Sequence, residues 1–158
     1  MTTSAEERDL VVAEARTWLG TPYGHNAAIK GGGVDCGRLI IETFVKVGLA
    51  APVETGYYTH DWHLHRDEEK YLSFVETYMT RIDKEETSFQ EREGFLPLPG
   101  DLLVWRVGRT FSHGALVTKW PNIIHSYYPS RMVEEVELPN SPMAFRLMRQ
   151  YSFWSDDR

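Results

Sequence analysis

The spacing of apolar positions changes partway along the chain. In SAEERDLVVAEARTWLG, Leu10, Val11, Ala15, Trp18 and Leu19 recur at helical spacing, and in DCGRLIIETFVKVGL, Leu39, Ile40, Phe44 and Val47 form one stripe. Ser4, with Glu7 three residues later, predicts a capping box at the first helix start, and Gly20 and Pro22 predict its end. Asp35 predicts the N-cap of the second helix and Gly48 its stop. A third amphipathic stretch, with Tyr71, Leu72, Val75 and Met79 facing inward, predicts a helix over about residues 67 to 81. From Pro97 the pattern shortens into β-rich runs, LPGDLLVWRVG, FSHGALVTKW, NIIHSYYP, MVEEVEL and MAFRLMRQY, separated by Gly, Pro and Asn. Helices first and strands afterwards predict an α+β fold in which N-terminal helices pack on a C-terminal antiparallel sheet.

The length of 158 residues suits one hydrophobic core and predicts a single domain over 1–158. A formal net charge of −6 argues against a nucleic-acid partner, which calls for a basic stripe to displace phosphate counterions. No apolar run approaches the roughly 20 residues of a membrane span, so no membrane insertion is expected. The opening MTTSAEERDL is acidic and polar, unlike a basic-then-apolar signal peptide. Cys36 is the only cysteine, which excludes an intrachain disulfide and a multi-thiolate zinc site. His60, His63 and His65, beside Asp61, lack the i, i+4 spacing of helical zinc sites, and no metal or other cofactor is expected.

A lone cysteine is by default an inert, buried, small hydrophobe. Cys36 differs in its place. It follows the glycines 31–33, which would let backbone approach the thiol and a substrate, and it opens a predicted helix, where dipole and unpaired N–H groups favour thiolate. A nucleophilic thiol needs a base, and the base an orienting partner. His113 and His125 lie in predicted strands 12 positions apart, an even number. If 113 lies opposite 125, in a hairpin centred on Lys119, both rings project from one face. A tight turn at Pro121-Asn122 would instead set His125 opposite Thr118.

These segments resemble the NlpC/P60 family of cell-wall cysteine peptidases, whose fold is a reduced papain core. The likeness is carried, in the family's order, by GTPY (20–23), GGGVDCGRL (31–39), PGDLLVW (99–105), SHGALV (112–117) and IIHS (123–126). The resemblance implies that Cys36 is the nucleophile, His113 the base and His125 the orienting third residue. It also implies that Tyr23 lies beside thiol and substrate, and that Asp35 meets a free amine of a peptidoglycan stem peptide. The implied reaction is hydrolysis of a stem-peptide amide, typically between D-glutamate and the diamino acid. The stretch YYTHDWHLHRDEEKYL (57–72) resembles the phage-tail and gene-transfer-agent branch, implying a protein made in the cytoplasm, carried in a virion tail with other tail proteins, and acting in the periplasm or wall. Gly37 and Arg38 depart from the family's usual Ser/Trp-Gly after the cysteine. Arg38 would either crowd the helix or bring positive charge to the thiolate. Two alternatives remain: a catalytically silent tail-assembly structural protein, or a papain-like acyltransferase that passes the thioester to another acceptor.

Overall fold

The structure, a computed structural model, describes residues 1–54 and 70–154. Helix α1 spans Ser4–Arg16, but its capping box lies one residue earlier than expected. Thr3 is the N-cap: its Oγ1 accepts from the Glu6 N–H at 3.2 Å, and its own N–H donates to Glu6 Oε2 at 2.7 Å. Glu7 is used elsewhere, accepting from Trp154 Nε1 at 2.7 Å. The buried face is also rotated from the expected one: Leu10 and Leu19 are exposed, while Arg8 and Val12 join Val11, Ala15 and Trp18 in the interior. Arg8 is drawn in by the buried carboxylate of Asp101, to which its Nη1 donates at 2.9 Å.

The glycines 31–33 belong to a short hairpin, β1 (Ala28–Ile29) against β2 (Gly33–Val34), closed by the Gly32 N–H donating to the Ile29 carbonyl. They do not line the cavity beside Cys36, so their part is to turn the chain back toward the second helix. Helix α2, Cys36–Lys46, starts as the sequence predicts, with Asp35 Oδ1 accepting from the Arg38 N–H at 2.8 Å. It buries Leu39, Ile40 and Phe44, and Gly48 follows with φ +80°. Helix α3 is described over Lys70–Tyr78; its expected first turn, and most of the stretch 57–72 with His60, His63 and His65, lie outside the described residues.

Strands β3 (Thr80–Arg81), β4 (Leu102–Val107), β5 (Thr110–Val117), β6 (Asn122–Tyr127), β7 (Met132–Glu137) and β8 (Met148–Ser152) form one antiparallel sheet in the order β3-β8-β4-β5-β6-β7. The architecture is α+β, as expected. Alternation along the strands makes two faces. Leu102, Val104, Leu116, Ile124, Val133 and Tyr151 pack with α1, α2 and Leu72 of α3. Leu103, Trp105, Ala115, Val117 and Ile123 point the other way, against Leu138 and Met143 of two short 3-10 turns.

Two irregularities in β5 position the site. Trp105 lies opposite His113 but Arg106 opposite Phe111, so Ser112 is an extra residue, a β-bulge. Phe111 consequently packs with the helices, whereas His113 shares the opposite face with Ala115. The second is a splay: β5 pairs with β6 only at Leu116 with Ile124 and Val117 with Ile123. Beyond those pairs the strands separate, and the freed backbone of β5 meets the start of α2.

Candidate active site

At the bulge, the thiol of Cys36 donates to the Ser112 carbonyl at 3.6 Å. The backbone groups of Gly114, Gly37 and Cys36 itself act on the sulfur in the direction that favours thiolate. Burial outweighs them. It pushes the thiol up to about 12, with the neighbouring Asp35 charge adding to the rise. This corrects the sequence expectation of a lowered thiol: the helix start does favour the anion, but its carboxylate cap stands beside the sulfur.

His113 follows Ser112, and its Nε2 lies 2.8 Å from His125 Nδ1. The register responsible is neither of the two expected. The turn closes through the Thr118 N–H to the Asn122 carbonyl and the Asn122 N–H to the Lys119 carbonyl, around Trp120 and Pro121. Carried one step past Leu116 and Ile124, that register sets His125 across from Ala115, two residues from His113. The rings therefore share a face, as the parity argument requires, and meet diagonally rather than squarely. Tyr127 stacks on His125 at 4.7 Å and 10°, and the Trp105 ring lies 5.9 Å from His113. Burial, with His125 and Arg146 adding, holds His113 well below the ordinary histidine value, and burial lowers His125 despite the opposing pull of Glu134. Both imidazoles are neutral at pH 7.

One further residue, Glu134, stands in line and was not singled out from sequence. It sits directly opposite His125 on β7, with Oε1 2.9 Å from His125 Nε2. In MVEEVEL, the alternation of a strand puts Glu134 and Glu135 on opposite faces. Once His125 is fixed, register alone picks out Glu134.

Tyr23 is half-buried against Tyr128 at 5.4 Å, and burial, with Cys36 and Asp35 adding, raises its hydroxyl above the ordinary tyrosine range. Asp35 is buried; Oδ1 caps α2, and Oδ2 accepts from the Asn26 N–H at 2.8 Å. Arg38 turns along its own helix, with Nη2 3.3 Å from Glu42 Oε1, so its charge is matched on α2. Tyr23, Asp35, Cys36, Arg38 and His113 all border a cavity of about 530 Å³, whose farther walls are largely apolar side chains of α2 and α3. His125 does not border it and lies wholly behind His113.

No family model matches the chain, and no curated protein matches it by sequence. Solved structures do. The NlpC/p60 domain of the peptidoglycan hydrolase SagA is 22% identical with a TM-score of 0.54, over 84% of this chain and 90% of that one. An NlpC/P60 family protein from Bacillus cereus is 22% identical with a TM-score of 0.58, over 90% of this chain and 39% of that one. The peptidoglycan hydrolase RipB from Mycobacterium tuberculosis is 14% identical with a TM-score of 0.55, over 94% of this chain and 67% of that one. The chain thus spans most of an isolated domain but well under half of the B. cereus protein. At these identities the likeness is one of fold, and the fold is the one NlpC/P60 domains share.

Proposed function

We propose that the protein is a cysteine peptidase that hydrolyses an amide bond in peptidoglycan stem peptides. The observation that carries this reading is that Cys36, at the start of α2, bonds the carbonyl of the bulge residue Ser112 and shares a cavity wall with the next residue, His113, which is backed by His125. An inert packing cysteine needs neither histidine. The cavity beside the thiol offers space for a peptide, and the fold neighbours include peptidoglycan hydrolases.

The resting pair is neutral thiol and neutral imidazole, as the opposite shifts of Cys36 and His113 require. As substrate docks, His113 takes the Cys36 proton and the sulfur attacks the amide carbonyl carbon. Backbone N–H groups at the start of α2 stabilise the oxyanion, each worth roughly 3 to 4 kcal/mol in comparable sites. His113 then returns the proton to the leaving nitrogen as the C–N bond breaks. Water, deprotonated by His113, cleaves the thioester and restores the thiol. His125 orients His113. Tyr23 borders the cavity, where it contacts substrate, and Asp35 is within the same cavity wall to meet a stem-peptide amine. Within this proposal, cleavage after D-glutamate and carriage in a phage tail or gene transfer agent rest on the sequence resemblance.

The test is incubation of the purified protein with a muropeptide containing the D-glutamyl–diamino acid bond, followed by assay of new amino groups. Activity should be lost in Cys36→Ala and His113→Ala, fall less in His125→Ala, and survive Arg38→Gly. A wild-type protein silent on every stem peptide, with Arg38→Gly active, would replace this reading with that of a tail component without turnover.

A further inference from the structure

The peptidase reading gives His125 an orienting task, and resting on that reading we propose that Glu134 is a positioning residue that fixes the tautomers of both histidines so that His113 presents a free lone pair to Cys36. An ionised carboxylate can only accept, so at 2.9 Å from Glu134 Oε1 the His125 Nε2 must carry hydrogen. In a neutral imidazole the other nitrogen is then an acceptor. His125 Nδ1, 2.8 Å from His113 Nε2, therefore takes the hydrogen of that nitrogen. This leaves His113 Nδ1 as the unprotonated, basic nitrogen, the only ring atom of His113 left to receive the thiol proton. One acceptor on β7 thus sets the proton positions on β6 and β5.

The same row explains what protonation of His125 would do. A cationic His125 donates from both nitrogens, so His113 Nε2 would have to accept and its hydrogen would move to Nδ1, disabling the base. The charged and titratable groups that face the row are Glu134 from β7, Tyr127 from β6, Arg146, which acts on His113 and Tyr127 from the segment before β8, and Cys36 of α2, which shares the cavity wall with His113. Burial keeps His125 neutral, and Tyr127 covers one of its faces. The side chain of Glu134 is 27% exposed while that of His125 is fully covered, so water can partly replace the carboxylate when it is removed.

The test has two readouts that need no substrate. Histidine ¹⁵N shifts of the wild-type protein should show hydrogen on Nε2 of both His113 and His125. Glu134→Ala should give a mixture of His113 tautomers and slow the alkylation of Cys36 at neutral pH by about 10- to 100-fold, less than the roughly 10⁴-fold of a fully buried triad because water substitutes. Glu134→Gln, nearly isosteric but able to donate through its amide NH2 as well as accept, should keep the wild-type Tm yet still mix the tautomers and slow alkylation, which separates loss of an acceptor-only partner from loss of fold. Hydrogen on His113 Nδ1 in the wild type overturns the proposal. So does a Glu134→Ala protein with unchanged tautomers and unchanged alkylation across pH. If both readouts behave as expected while no muropeptide is cleaved, the relay stands and the peptidase reading falls.

Discussion

Cys36 is a thiol whose surroundings hold it protonated, and this has a cost in alkaline solution. Its value in the folded protein, about 12, lies above the ordinary 9.0, so between those values the unfolded chain ionises while the folded one retains its proton. The stability it contributes is complete below pH 9 and is lost as pH rises toward 12. Urea denaturation across that range should show the decline, and Cys36→Ala should lessen without abolishing it, since burial also raises Tyr23 and Tyr151. The histidines set the opposite limb. Both are lowered from 6.5, so the unfolded chain binds more protons as pH falls below that value, and stability should drop progressively there. His125→Gln should flatten this acid limb in the same titration. At this scale much was legible in the sequence: a single cysteine at a helix start and two histidines with even spacing. Glu134 was not, because a strand with three glutamates carries no local mark of which one faces a histidine on its neighbour.

Of the α3 side chains that border the cavity, Tyr71 is the one that meets the two glycines beside the thiol. Tyr71 lies between Gly37, the residue after Cys36, and Gly114, the residue after His113: a Cβ at Gly37 would sit 3.4 Å from the Tyr71 ring, and one at Gly114 would collide with its hydroxyl. Gly114→Ala should therefore cost about 1 to 3 kcal/mol through overpacking, seen as a lowered Tm. Adding Tyr71→Phe, which removes the colliding oxygen, should recover part of the loss. If the two changes were simply additive, the contact would not be the cause. The inward direction of Tyr71, Leu72, Val75 and Met79 was readable from periodicity, and all four pack on the core. The pairing register was not. A turn around Trp120 and Pro121 and an extra residue at Ser112 each shift the ladder, and neither has a strong local signature. The shared face of the two histidines survives because side-chain direction depends only on parity, whereas register depends on every turn and bulge between the strands.

Across the whole molecule, α1, the loop before β4 and the end of β8 meet at Arg8. Its guanidinium donates to Asp101, to the Pro99 carbonyl at 2.7 Å and to Ser152 Oγ at 3.3 Å, and lies 4.5 Å from the centre of the Trp154 ring. Asp101 also accepts from the Leu98 N–H and Gln150 Nε2. Asp101 was read from sequence only as part of a motif, and Arg8 was not singled out, because patterning ranks residues by hydropathy and is blind to paired burial. The partners of Arg8 are separated from it by 91 to 144 positions in the chain. A contact that closes loops so long becomes favourable only after most of the intervening structure has formed. It should therefore be nearly absent from the folding transition state, and its energy should appear as resistance to opening. Arg8→Met, which strands the buried Asp101 carboxylate, should leave the refolding rate almost unchanged and speed unfolding by about 10²- to 10³-fold, from a loss of about 3 to 5 kcal/mol. Stopped-flow chevrons of the two proteins would show this as superimposed folding arms with displaced unfolding arms. The clasp at Arg8 thus governs how long the protein, once folded, stays so.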